Sequence, residues 1–322
     1  MEKIVAVDRW IQAFLRSDPP RGKSLIVTVF GDSIAPHGSA VWLGSLIELL
    51  APFGVNDRLV RTSVFRLVRE GWLDAMRDRR RSRYRLSSLG ARRFELAHVK
   101  IYTLPRPNWH GDWTIILAPP AIAPAAYRTK LRNELAWEGF AMISPGVFCH
   151  PSTGTDALEE ILHRVGGQVF VCSAQDQERL PRRPLPDLVP LGWRLDSVIE
   201  SYRHFMETFG RLPNILSAEG MTAEGSFVVR TLLIHAFRRV TLHDPWLPVE
   251  LLPKDWPGAE AYHLCRQIYQ MTCQGAEQHL LATIRKEDPE VPEAAPYFYE
   301  RFGGLRLDDT ARRREGDTAT FR

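Results

Sequence analysis

The sequence predicts an α+β protein of several domains, and three patterns predict it. An arginine-studded helical segment followed by a basic hairpin stands near the N-terminus. Short strands alternate with helices in the middle, and three- and four-residue apolar repeats run through the rest. The expected domains are residues 1–98, 99–178 and 179–322. A chain of 322 residues fits two or three domains of about 150 residues each, and it can bury a large core without covalent staples.

Composition narrows the class. At 44% hydrophobic and 25% charged residues the chain is ordinary for a globular protein. Its longest apolar stretches are interrupted, 41–55 by Glu48 and 114–126 by Pro119, Pro120 and Pro124, short of the roughly 20 apolar residues of a membrane span. Asp8, Arg9 and Arg16 break up any signal-like apolar region at the start. A soluble, cytoplasmic protein with no membrane partner is expected. Cys149, Cys172, Cys265 and Cys273 form no CxxC pair, and the ten histidines are scattered. The expectation is free thiols, with Cys265 and Cys273 buried in a helix, and neither a metal site nor a cofactor.

Charge is unevenly placed. Residues 1–100 carry 18 Lys+Arg against 10 Asp+Glu, whereas the whole chain carries 42 against 38. Ten arginines lie between Arg58 and Arg85, opposed only by Glu70, Asp74 and Asp78. A basic end on an acidic remainder suits a polyanion partner. A solvated basic face is the alternative, and charge alone leaves both open.

The local pattern favours DNA. Residues 24–30 read as a helix ending near Gly31, and 41–50 as a second helix ended by Pro52 and Gly54. Asn56 can cap a third helix, with Asp57 favourable in its first turn, and Gly71 suits its left-handed end. At about 100° per residue, Val60, Val64, Leu67 and Val68 share one face. Arg58, Arg61, Thr62, Phe65, Arg66 and Arg69 fall mostly opposite. A strand over 72–76, a basic tip at 77–81 and a returning strand over 82–86 follow. Three helices and a basic hairpin describe a winged helix-turn-helix. Its third helix would enter the major groove, where Arg58, Arg61, Thr62 and Arg66 meet base edges. Arg79, Arg80, Arg81 and Arg83 of the wing would sit on phosphates or in the minor groove. Arg69 and Arg77 are expected to pair with nearby acids, and Phe65 either packs under the wing, the favoured reading, or contacts a base.

The middle alternates as strand 113–118, helix 124–137, strand 140–143, turn, strand 147–150, helix 156–164 and strand 168–172. That βαββαβ order predicts a ferredoxin-like domain. Its basic helix (Arg128, Lys130, Arg132) is either solvated or an aid to DNA or dimer contact. Residues 179–190, with prolines at 181, 184, 186 and 190, read as a linker. Beyond it, helices are expected over 195–209, 226–242 and 257–283, making the last domain mostly helical. Residues 310–322 read as a disordered tail.

Several strings are recognisable. Arg61-Thr62-Ser63-Val64-Phe65-Arg66-Leu67, Glu70-Gly71-Trp72-Leu73 and Arg80-Arg81-Ser82 resemble the PaaX family, repressors of bacterial phenylacetate-degradation operons. The resemblance continues in Leu232-Leu233-Ile234-His235, Arg238-Arg239-Val240 and Asp244-Pro245-Trp246-Leu247-Pro248. It extends through Glu250-Leu251-Leu252-Pro253, Trp256-Pro257-Gly258, Tyr297-Phe298 and Arg301-Phe302-Gly303-Gly304-Leu305. The match spans roughly residues 22–307.

The resemblance implies a homodimeric repressor on double-stranded operator DNA, released by phenylacetyl-coenzyme A or a related aryl-acyl thioester. It also implies a central domain similar to the CRISPR-associated Cas2 proteins, some of which are nucleases. A metal-dependent nuclease is therefore the rival function, although the strand that follows Asp112 exits into Ala118-Pro119-Pro120 without an acid. An acyl-coenzyme A effector needs an apolar slot and cations for its phosphates. Arg230, His235, Arg238, Arg239, His243 and Trp246 supply that combination. The competing reading, favoured on residue chemistry alone, has Arg238, Arg239 and Asp244 in ion pairs that tie the helix to the following loop.

Overall fold

The computed structural model describes residues 5–78, 81–104, 109–119, 121, 123–151, 155–167, 169–175, 189–218 and 220–305. The expected linker, save its last two residues, and the expected C-terminal tail lie outside these. Helix and strand are mixed throughout, and among the described residues no helix is long and apolar enough to cross a membrane. The chain forms two compact units, neither continuous in sequence. The first contains residues 1–103, 205–238 and 262–322, the second 104–204 and 239–261. These units do not follow the three consecutive segments of the sequence reading.

In the first unit, α1 (Val5–Ser17) places Val7, Ile11 and Phe14 inward at helical spacing, with Trp10 and Phe14 against Phe209 at 5.3 and 5.6 Å between ring centroids. Helix α2 (Gly22–Val29) does not stop at Gly31. It widens into a π-helical turn over Phe30–Ile34 and tightens into a 3-10 turn over Ala35–His37. The segment expected to be helical from Val41 starts instead as strand β1 (Ala40–Trp42), because those three residues pair with the hairpin, and α3 (Leu43–Leu50) begins only after it. Helix α4 (Asp57–Arg69), strands β2 (Leu73–Asp78) and β3 (Arg81–Leu86), and helix α5 (Ser88–Tyr102) follow. The small sheet has the order β1-β3-β2, antiparallel throughout.

Two helices from the far end of the sequence complete this unit. Helix α11 (Ala223–Thr241) buries Phe227, Val229, Leu232, Leu233, Ile234 and Phe237, apolar residues all round rather than on one stripe, which makes it a central helix. Helix α12 (Gly258–Ile284) carries the buried free thiols Cys265 and Cys273. At the centre lies a set of buried charges. Asp32, in the π-helical turn, accepts from Tyr102 at 2.7 Å and Tyr269 at 3.0 Å and pairs with Arg301 at 3.2 Å and Arg230 at 3.1 Å. Arg230 also donates to Glu277 at 2.6 Å, whose other oxygen meets the His37 ring at 2.8 Å. The Arg301 guanidinium lies 4.3 and 4.8 Å from the rings of Tyr102 and Phe298. Each ion taken from water costs several kcal/mol, so these charges persist only because every one of them has an opposite neighbour.

The second unit is built on a four-stranded antiparallel sheet of order β5-β6-β4-β7. Its elements run β4 (Asp112–Leu117), α6 (Ala125–Trp137), β5 (Ala141–Ser144), β6 (Val147–His150), α7 (Thr155–Val165) and β7 (Phe170–Gln175). Strand alternation puts Ile116 and Phe148 on the face covered by Leu131, Leu135, Leu158 and Ile161 of α6 and α7. Trp113, Ala141 and Cys149 face the other way, onto Trp193, Leu195, Ile199, Leu247 and Leu251. The short helix α8 (Val189–Trp193), which starts with Pro190 in its first turn, and the start of α9 (Leu195–Phe209) therefore cap the sheet. Trp193 locks this by donating its indole N–H to the Gly139 carbonyl at 2.7 Å. Helix α10 (Leu212–Ala218), like α1 and α5, had no counterpart in the sequence reading.

Burial alone pushes the Glu277 carboxyl upward, but the charge of Arg230 and the hydrogen bond from His37 outweigh it and hold the pKa at about 2. A carboxyl depressed on folding stabilises the protein above its unfolded pKa, near 4.5, and loses that contribution as pH falls through about 2. Glu277→Gln is expected to lower the melting temperature at pH 7. Its deficit relative to the parent should shrink as pH drops from 4.5 toward 2 in parallel thermal melts.

Candidate nucleic-acid interface

Helix α4 is fixed at both ends by its own sequence. The Asn56 side chain accepts from the Leu59 amide at 2.9 Å. At the other end Gly71, at φ +72°, lets the Trp72 amide reach back to the Leu67 carbonyl at 2.9 Å. Val60, Ser63, Val64 and Leu67 are buried; Arg58, Arg61, Thr62, Phe65, Arg66 and Arg69 are exposed. All four expected base-reading residues of α4 thus share one solvent face. The Thr62 hydroxyl donates to the Arg58 carbonyl at 2.8 Å, which leaves its methyl as the free end.

Two expectations for this helix fail. Phe65 does not pack under the wing: 63% of it is exposed. Leu67 of the helix and Leu73 of the hairpin are buried, and at 100° per residue Phe65 lies about 200° around the helix from Leu67. Nor do Arg69 and Arg77 take the nearby acids. Lys23 holds Glu70, Arg61 holds Asp57 at 2.5 Å, and Arg85 lies 3.5 Å from Asp74.

Arg79 and Arg80 at the hairpin tip lie outside the described residues. Arg81 and Arg83, expected on DNA, have partners within the protein. Arg81 donates to Glu287 at 3.0 Å and Arg83 to Asp288 at 2.7 Å, in the turn after α12. Both guanidinium groups lie over Trp42, Arg81 at 4.3 Å and Arg83 at 5.8 Å from the ring centroid. Glu287 also accepts from the Ser45 amide at 2.6 Å and hydroxyl at 2.8 Å, at the start of α3. Gly44 permits that approach, since a Cβ there would stand 2.7 Å from the carboxylate. Partial burial pushes the Glu287 carboxyl up, but the Ser45 bonds and Arg81 more than reverse it, and its pKa falls. Sequence reading missed Trp42, Ser45 and this acidic turn; only the single charge signs were visible, some 200 residues apart.

Three family profiles match the chain: "PaaX-like protein" over residues 21–90, "PaaX protein central Cas2-like domain" over 106–184 and "PaaX-like protein C-terminal domain" over 193–282. A curated relative, "Transcriptional repressor PaaX" of Escherichia coli K12, is 36% identical over 309 residues, 95% of this chain and 97% of its own. The chain belongs to the PaaX family. Among solved structures, an uncharacterized protein of Mycobacterium tuberculosis is 26% identical with a TM-score of 0.46, covering 79% of this chain and 98% of that one.

The six residues expected to hold an effector of a PaaX-type protein are divided between the two units. In the first, Arg230 is fully buried on Asp32 and Glu277, and His235 Nδ1 lies 3.0 Å from the Thr28 hydroxyl. Arg238 donates to the Ser24 hydroxyl at 2.9 Å, and burial lowers its pKa to about 10. In the second, Arg239 and His243 are exposed, with His243 Nδ1 2.7 Å from the Arg239 carbonyl. Trp246, at φ +59°, donates its amide to Asp244, which also accepts from Tyr202 at 2.6 Å. Of the three residues in the favoured alternative, Arg238, Arg239 and Asp244, the first meets the Ser24 hydroxyl. In the Cas2-like domain, Arg128 donates to the Ala123 carbonyl at 2.5 Å and Lys130 to the Arg164 carbonyl at 3.2 Å. Among the described residues no three His, Cys, Asp or Glu side chains gather as a metal site.

Proposed function

We propose that this protein is a cytoplasmic, DNA-binding transcriptional repressor of phenylacetate catabolic genes, working as a homodimer and not as an enzyme. The observation that carries the reading is the outer face of α4, where Arg58, Arg61, Thr62 and Arg66 stand together in solvent on a helix whose other side is core. The 36% identity to the Escherichia coli repressor supports it. The N-terminal elements then act as a winged helix-turn-helix, α4 in the major groove and β2–β3 beside it, and the central domain acts as a ferredoxin-like spacer. A two-fold dimer presents two such helices to half-sites one helical turn apart or a multiple of it.

Arginine is suited to this face because its planar fork can bond two acceptors on a guanine edge. On docking, Arg61 exchanges Asp57 for DNA, and Arg81 and Arg83 exchange Glu287 and Asp288 for phosphates. Such partly exposed ion pairs contribute about 0.2–1 kcal/mol each, so DNA can displace them. Phenylacetyl-coenzyme A, or a related aryl-coenzyme A thioester, releases the complex by binding more tightly to the dimer form that cannot dock; a tenfold preference supplies about 1.4 kcal/mol. The exposed basic side chains among the six are Arg239 and His243, which would meet its phosphates, with Trp246 beside them in sequence for the aryl group. Arg230 is excluded from that role, because drawing it away would take one guanidinium partner from each of two carboxylates, Asp32 and Glu277.

Arg61→Ala is expected to weaken binding to a selected operator by about 1–3 kcal/mol and to relax its sequence preference in mobility-shift titrations; unchanged affinity would refute the docking. The double variant Glu287→Gln, Asp288→Asn should tighten DNA binding by roughly 0.4–2 kcal/mol, as two ion pairs no longer compete. Weaker binding would mean the acids hold the wing in its DNA-ready position. In a thermal-shift panel of acyl-coenzyme A thioesters, a selective rise in melting temperature with the phenylacetyl member is expected. Equal response to free coenzyme A would remove the effector assignment.

A further inference from the structure

We propose that Phe65 is a specificity-determining residue that reads the 5-methyl group of thymine in the major groove. The inference rests on the DNA-binding reading of α4 and goes beyond it by assigning an apolar contact to one side chain. Phe65 makes no contribution to the core: it is the most exposed large apolar side chain among the described residues of its unit, at 63%. A single exposed apolar residue is ordinary on a protein surface; its position is what matters here. It stands three residues after Thr62, four after Arg61 and four before Arg69, so on the helix surface it is their direct neighbour. Base edges met by Arg61 and Thr62 therefore lie beside the phenyl ring.

The ring can neither donate nor accept a conventional hydrogen bond, so most of what a groove floor displays is invisible to it. The thymine methyl is the apolar feature of the major groove and is a known partner for phenylalanine. An apolar wedge between base steps from the minor groove is the other use of such a residue. That groove is about 6 Å wide, whereas a helix with its side chains measures about 10–12 Å. Helix α4 carries Phe65 at its middle, so the ring arrives where the helix fits, in the major groove. Covering one methyl group by the ring is expected to be worth about fourfold in affinity, the equivalent of one buried methylene.

The test uses the full chain. Duplexes are selected from a random-sequence pool, and each thymine in the recovered site is then replaced singly by deoxyuridine, which removes the methyl and leaves base pairing intact. For the parent protein, one position per half-site should lose about fourfold in affinity on this replacement. Phe65→Ala should bind the thymine duplex about as weakly as the parent binds the deoxyuridine one, and should no longer distinguish the two at that position. Its discrimination at other positions should remain, and Phe65→Leu should fall between. Because the side chain lies in solvent, melting temperatures of both variants should match the parent. If Phe65→Ala binds as tightly as the parent, or loses affinity equally on methylated and unmethylated duplexes, the methyl contact is wrong while the repressor reading stands. If the parent recovers no sequence at all, both fall together.

Discussion

The buried carboxylate of Asp32 is the constraint on which the first unit depends. It sits in a π-helical turn, and it gathers Tyr102, Tyr269, Arg230 and Arg301 from four distant stretches of chain. None of these groups is tolerable in an apolar interior alone. Removing one partner leaves an uncompensated charge at a cost of several kcal/mol. The network thus ties the N-terminal helices to α11, α12 and the segment near residue 301, and makes one compact body of pieces that the sequence separates by up to 270 positions.

The same unit brings acids to bases at its surface. The turn after α12 delivers Glu287 and Asp288 to Arg81 and Arg83, while Lys286 reaches Glu48. These contacts differ from the internal ones in their surroundings, not in their chemistry. Arg230 is fully out of water, whereas half of the Arg81 side chain is exposed. High local dielectric and mobile side chains make the surface pairs weak and exchangeable; the buried pairs are neither. Guanidinium groups of a single sequence type therefore divide into those that hold the fold and those that can meet a ligand. The division follows burial alone.

Much of this was legible in the residues. The cap at Asn56, the end at Gly71 and the 3.6-residue spacing of Val60, Val64 and Leu67 locate α4 and separate its faces, because each is a local effect acting within one or two turns. The alternation of β4 and the lengths of α6 and α7 were legible for the same reason. The β1 strand was not: it looks like the start of a helix and becomes extended only because β3 offers it hydrogen bonds. Phe65 was misplaced because spacing says which residues share a face but not what lies opposite that face.

The sequence by itself determined the order of the central domain's strands and helices, the basic character of α4 and the hairpin, and, through strings that run nearly its whole length, the family. Tertiary structure alone decided which cations are free. Arg230 and Arg238 read in sequence like Arg58 and Arg66, yet the first pair is drawn into the protein and the second left in water. It also decided that residues 189–199 and 247–251 serve the central sheet, since a sheet has two apolar faces and α6 and α7 cover one. Both decisions turn on contacts between positions far apart in the chain, where no local periodicity carries the information.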